Sequence, residues 1–171
     1  MIELLFVVSM ACVLGMTLTP GMRLIAHKSG LVDNPDGRRK LHKGPIALGG
    51  GVAVFASTFL SLIAAVLVLP HLHHLLGSEP LELLNDSSVT FFVGLLCASA
   101  FIVGVGLVDD RYQLRGRQKL LGQIVAVSIL LASGLVVERI QLFGWRVDLG
   151  LLSYPFTMFW LLGAINALNL I

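Results

Sequence analysis

The sequence predicts an all-α integral membrane protein, and three observations lead there. The chain of 171 residues is 56% hydrophobic and only 13% charged, too little polar surface for a soluble domain of this size. Its mean hydropathy is +0.89. The apolar residues collect into five stretches, at about 2–25, 46–69, 89–108, 119–137 and 151–171. Each approaches the roughly 20 residues that a bilayer-spanning helix needs. Lipid offers no partner to backbone N–H and C=O groups, so these stretches are expected as about five transmembrane helices in one domain covering 1–171.

The first stretch has no basic residues before it and no evident cleavage site, so it reads as a retained transmembrane helix. A segment at about 23–45 follows, carrying Arg23, Lys28, Arg38, Arg39, Lys40 and Lys43. Spans three and four are separated by a second polar segment, about 109–118, with Arg111, Arg115 and Arg117, and Lys119 opens the next span. These ten of the twelve Lys and Arg residues place both segments in the cytoplasm and the N-terminus outside. The segment at 70–88 has no Lys or Arg, and "ERIQLFGWRVDLG" (138–150) has two. That last segment alternates around Gly144 and is expected as a small external β-hairpin, with Arg146 and Asp148 on one face. Cys12 and Cys97 lie in apolar runs and read as packing residues rather than a disulfide.

Chemistry concentrates at the predicted cytoplasmic ends. Asp109 and Asp110 close span three, and Asn166 and Asn169, three residues apart on one helical face, close span five. "VDNPDGRRKLHKGP" and the "GGG" at 49–51 open span two on the same side. Adjacent aspartates repel, and a cation relieves the repulsion. Mg²⁺ suits carboxylate oxygens and leaves positions open for phosphate. Consecutive helical residues point about 100° apart, so one aspartate as metal ligand and the other as orienting or basic group is the expected division. Arginine forks and mobile lysines suit a diphosphate. "DNPDG" is turn chemistry, with Pro35 and Gly37 setting its torsions.

Two weaker signals have plainer readings. "GVG" (104–106) lies inside a span and is expected to serve close helix packing rather than a dinucleotide. "HLHH" (71–74) reads as an interfacial loop rather than a metal site.

Taken together, "GLVDNPDGRRKLHKGPIALGGG", "GLVDDRYQLRGRQKLLGQ" and "GAINALNLI" resemble the polyprenyl-phosphate N-acetylhexosamine-1-phosphate transferases of glycosyltransferase family 4. The resemblance covers nearly the whole chain and leans toward the O-antigen and teichoic acid branch. It implies transfer of a sugar-1-phosphate, such as GlcNAc-1-phosphate, from a UDP-sugar to undecaprenyl phosphate in a bacterial inner membrane. UMP is released at the cytoplasmic face. Mg²⁺, or Mn²⁺ in its place, is the implied cofactor, membrane lipid the setting and homodimers a common state; nucleic acid has no part. By the resemblance Asp109 and Asp110 are catalytic and metal-binding, while Arg39, Lys40, His42, Lys43, Lys119, Asn166 and Asn169 bind substrate. Gly50 and Gly51 match the glycine turn behind the first cytoplasmic loop.

Ala47 departs from the family pattern, which has a second proline there. The pattern also continues with Asp-Gly after the second asparagine and with a second half, so this chain is expected to be an N-terminal half, inactive alone. Half of a membrane transporter and a non-catalytic membrane scaffold are the competing expectations.

Overall fold

The computed structural model describes residues 2–33, 44–76 and 86–168. In order these form α1 (Ile2–Ser29), β1 (Val32–Asp33), β2 (Ile46–Ala47), α2 (Gly50–Leu76), α3 (Asp86–Tyr112), α4 (Gly116–Ala132), β3 (Arg139–Leu142), β4 (Trp145–Asp148), a 3₁₀ turn (Gly150–Leu152) and α5 (Ser153–Leu168). The all-α membrane-type fold is as expected. Leu4–Ser29, Gly50–His71, Val89–Tyr112 and Gly150–Leu168 are long and apolar enough to cross a membrane. The helix within the fourth stretch is shorter, with 17 residues. At 1.5 Å per residue it rises about 25 Å, somewhat under the ~30 Å hydrocarbon core. Large apolar side chains such as Met16, Leu67, Phe159 and Trp160 are exposed, the surface that lipid covers.

The helix ends differ from the expected boundaries for a physical reason. In α1, Leu31 N–H donates to the Ala26 carbonyl (2.9 Å) and Gly30 N–H to that of His27 (3.4 Å), with Gly30 at φ +70°. In α4, Leu135 N–H donates to Leu130 (3.1 Å) and Gly134 N–H to Leu131 (3.0 Å), with Gly134 at φ +90°. Both are Schellman closures, and both fall on the tripeptide Ser-Gly-Leu. The first carries α1 past residue 25, so Arg23 and Lys28 lie in helix rather than loop. The second ends α4 at Ala132, five residues before the expected end of span four.

The chain divides into two compact units. The first is Met1–Leu83 with Gly106–Gln113. Its core is the contact of α1 with α2. Ala53, Ser57, Ser61, Ala65 and Leu69 are buried at strict four-residue spacing on α2, and the first four form a small-residue stripe that lets backbones approach. A Cβ on Gly15 of α1 would lie 3.8 Å from Ser57 Oγ. The hydroxyls are satisfied within α2: Ser57 donates to the Val54 carbonyl (2.9 Å) and Ser61 to that of Thr58 (2.7 Å). The two-residue ladder pairs Val32 with Ala47 and Asp33 with Ile46, tying together the two ends of the basic segment, where turns alone were expected. α2 runs on through Leu76, so "HLHH" is helical rather than loop.

The second unit is Leu84–Val105 with Leu114–Ile171. Here α4 packs on α5; α4 buries Gln123, Ala126 and Val127, and α5 buries Ser153 and Thr157. Thr157 Oγ1 donates to the Ser153 carbonyl (2.7 Å) and accepts from Val137 N–H (2.9 Å), holding the link between α4 and β3. The expected hairpin is present, with Arg139 opposite Asp148 and Leu142 opposite Trp145. Its two-residue turn has Phe143 at φ +50° and Gly144 at φ +87°, the I′ signature that matches strand twist. Asp148 pairs across the strands with Arg139 (2.6 Å), not with Arg146, because the register sets them opposite; both side chains are 75% exposed, so the pair adds little stability.

Close packing through glycine occurs at other positions than the "GVG" run. A Cβ at Gly104 or Gly106 would meet nothing within 4 Å, whereas one at Gly94 would overlap the Ser133 side chain and one at Gly122 would lie 2.8 Å from Val105. Gly94→Ala is therefore expected to destabilise the protein by about 1–3 kcal/mol, as overpacking does, and Gly104→Ala to be neutral or slightly stabilising. Thermal unfolding in detergent distinguishes the two.

Candidate functional site

In the first unit the paired aspartates occupy the last turn of α3, both half-buried. The helix stops two residues later. Gln113 takes φ +50° and its N–H donates to the Asp109 carbonyl at 2.8 Å, closing the helix over the acid pair. One oxygen of Asp110, Oδ2, accepts the backbone N–H of Gly49 at 3.1 Å. That bond joins residues 61 apart in sequence and fastens the end of α3 to the turn that starts α2.

Gly49 is buried at φ +81°, and a Cβ there would lie 3.0 Å from Met22 Cε and 3.3 Å from Leu31 Cδ2. Torsion and space both select glycine. Beside it, Arg23, Met22, Ile46, Leu48 and Gly50 line a cavity of about 310 Å³, which among the described residues sets one cation against mostly apolar walls.

In the second unit Lys119 lies in the first turn of α4, half-buried. Arg115 precedes this helix and Arg117 is within its first turn, which contains no acidic residue. Gln118 Oε1 accepts the Arg115 N–H at 2.9 Å, a cap that needs no acid. Asn166, near the end of α5, makes a reciprocal amide pair with buried Gln123 of α4: Asn166 Nδ2 donates to Gln123 Oε1 (2.7 Å) and Gln123 Nε2 donates to Asn166 Oδ1 (3.3 Å). Asn166 Nδ2 also donates to the Leu162 carbonyl (2.8 Å).

Of the predicted site residues, Asp109 and Asp110 thus belong to the first unit, and Lys119 and Asn166 to the second. Arg38, Arg39, Lys40, His42, Lys43 and Asn169 lie outside the described residues. Gly50 and Gly51 open α2 as expected, but the residue that touches the acid pair is their neighbour Gly49. Gly49 and Gln123 were within quoted motifs without being singled out. A glycine run before a helix and a glutamine in an apolar span were the available signals.

Residues 92–171, which include Asp109, Asp110, Lys119 and Asn166, match glycosyl transferase family 4. Over that stretch the chain is similar to this family. The chain is 29% identical over 168 residues to a probable undecaprenyl-phosphate N-acetylglucosaminyl 1-phosphate transferase of Bacillus subtilis, a match covering 97% of this chain and 41% of that protein. It is 32% identical over 152 residues to the undecaprenyl-phosphate alpha-N-acetylglucosaminyl 1-phosphate transferase of Yersinia pestis, covering 87% and 36%. A decaprenyl-phosphate N-acetylglucosaminephosphotransferase of Mycobacterium tuberculosis matches at 32% over 134 residues, covering 77% and 30%. The chain therefore spans about two fifths or less of the length of these relatives. No solved structure matches it significantly. With its apolar helices and these relatives, it is a multi-pass membrane protein.

Gly49→Ala is expected to cost about 1–2 kcal/mol from the left-handed torsion alone, with more from Met22 and Leu31. Thermal unfolding reads the loss. Asp110→Asn keeps an oxygen for the Gly49 N–H and is expected to unfold close to the unmodified protein, whereas Asp110→Ala leaves that N–H without its acceptor and lowers the midpoint further.

Proposed function

We propose that this protein serves transfer of GlcNAc-1-phosphate, or a related N-acetylhexosamine-1-phosphate, from a UDP-sugar to undecaprenyl phosphate, releasing UMP. On this reading it starts a cell-envelope polysaccharide, such as an O-antigen or teichoic acid, at the cytoplasmic face of a bacterial inner membrane. One observation carries it: of the charges flanking a three-residue turn, all but Arg111 run against the helix dipoles. Asp109 and Asp110 stand at the C-terminal end of α3, where carbonyls already present negative charge. Arg117 and Lys119 stand in the first turn of α4, where N–H groups already present positive charge, with Arg115 just before. Each misplaced charge works against its helix by about 0.3–1 kcal/mol. Groups that break a local stability rule mark functional sites, and the complements here are a cation and a polyanion.

The acid pair fits Mg²⁺. Among the described residues no group of three or more His, Cys, Asp or Glu side chains could form an all-protein cage, and Mg²⁺ is held by one or two carboxylates with water and substrate phosphates. Bound there, it would neutralise charge on the transferring phosphoryl group. Asp110, fastened through Gly49, acts as the orienting member of the pair, and Asp109 presents its carboxylate about 100° around the helix. Arg115, Arg117 and Lys119 attract the diphosphate of the UDP-sugar. The cavity beside Arg23 suits a phosphate carried on an apolar chain, with the guanidinium toward the phosphate and Met22, Ile46 and Leu48 along the stem. Ionisable groups at helix ends, rather than at the midplane, suit this reading better than transport.

In membranes carrying these residues within a chain of its relatives' full length, Asp109→Asn and Asp110→Asn are each expected to lower Mg²⁺-dependent UMP release by at least roughly 10²-fold. The assay follows UMP from UDP-GlcNAc with undecaprenyl phosphate added. Undiminished release in both variants would remove these roles.

A further inference from the structure

The Gln123–Asn166 pair has a determined orientation. A backbone carbonyl can only accept, so the Asn166 atom 2.8 Å from the Leu162 oxygen is the amide nitrogen. That nitrogen also faces one end of the Gln123 amide at 2.7 Å, which must then be the oxygen. The remaining contact, at 3.3 Å, runs from Gln123 Nε2 to Asn166 Oδ1. Both N–H groups of Asn166 are therefore used inside the protein, on Gln123 and on Leu162. An amide oxygen accepts two hydrogen bonds, and Gln123 supplies one. Gln123 is 3% exposed and out of reach of any ligand, whereas Asn166 is exposed at the end of its helix.

We propose that Gln123 is a positioning residue for Asn166, and that Asn166, so held, offers a substrate one acceptor oxygen. The substrate group it meets is then a hydrogen-bond donor, a sugar hydroxyl or the imide N–H of uracil, and not a phosphate oxygen. This rests on the reading of the protein as a UDP-sugar transferase. Apolar residues of the same helix, Ala126 and Val127, are buried close to Gln123. Through the bond to Leu162, rotation of the Asn166 amide is blocked from α5 itself, and Gln123 blocks it from α4. The arrangement thus selects a donor over an acceptor, because a site built for one hydrogen-bond sense rejects the other.

The test compares KM and kcat for UDP-GlcNAc, its N3-methyluracil analogue and its monodeoxy-sugar analogues. The unmodified sequence, Gln123→Leu, Gln123→Asn and Asn166→Ala are assayed in membranes within a chain of the relatives' full length, with thermal unfolding alongside. In the unmodified protein one analogue is expected to raise KM about tenfold, the value of one lost hydrogen bond. A penalty on the N3-methyl compound assigns the donor to uracil, and a penalty on one deoxy compound assigns it to the sugar. In Asn166→Ala and Gln123→Leu, UDP-GlcNAc itself is expected to lose that factor in KM, with kcat changed less, and the same analogue to lose nothing further. Gln123→Asn keeps both amide atoms on a shorter stem and is expected to retain part of the discrimination even where the leucine variant accumulates poorly. Equal analogue penalties in all variants, with only the unfolding midpoint lowered, would overturn the proposal and leave the pair a helix staple. Failure of the unmodified full-length protein to use UDP-GlcNAc would instead overturn the transferase reading beneath it.

Discussion

Hydrocarbon provides no hydrogen-bond partner, so every peptide group within it must find one in the chain. The rest of this structure follows from that constraint. It makes the spans helical, and it concentrates difficulty at the helix ends, where the last carbonyls and first N–H groups have no partner in the helix. The protein answers with two Schellman closures at Gly30 and Gly134, a left-handed Gln113 after α3, and a glutamine cap at the start of α4. Polar side chains within the helices follow the same economy: Ser57, Ser61 and Thr157 all return their hydroxyls to a carbonyl one turn back.

Because helix ends are where unpaired backbone polarity remains, they are also where charge can be held. The acid pair and the basic turn after it take this opportunity, but with reversed sign. Stability alone would place only bases at the end of α3, where Arg111 does comply, and acids at the start of α4. The reversal makes sense where ligands are among the complements. Gly49 then has a double task, since its torsion starts α2 and its N–H holds Asp110. A side chain at that position would strain the turn and crowd Met22 and Leu31, so the helix start and the acid pair depend on one residue.

Much of this was legible in the sequence. Long apolar runs announce helices, and the alternation around Gly144 announced the hairpin at 138–150, both because the signal is local and periodic. Motifs around Asp109, Lys119 and Asn166 pointed to the family that residues 92–171 match. Other features were misplaced for identifiable reasons. Hydropathy does not register caps, so Ser-Gly-Leu was overlooked at both 29–31 and 133–135. Histidines 71, 73 and 74 looked like a loop because polarity was weighed above helical continuity, yet α2 runs through them. Glycines 104 and 106 looked like packing sites, although packing depends on a neighbour that composition cannot name.

By itself, the sequence determined the fold class, the approximate spans and the residue types at their ends, since these depend on transfer free energies and on torsions within a few residues. Only the tertiary structure decided that Asp110 is held by Gly49, that Asn166 is turned by Gln123, that Asp148 pairs with Arg139, and that Gly94 and Gly122 are the close-packed glycines. Each of these is a contact between residues brought together by packing or strand register. A hydrogen bond over 61 residues leaves no periodic trace in the chain that makes it.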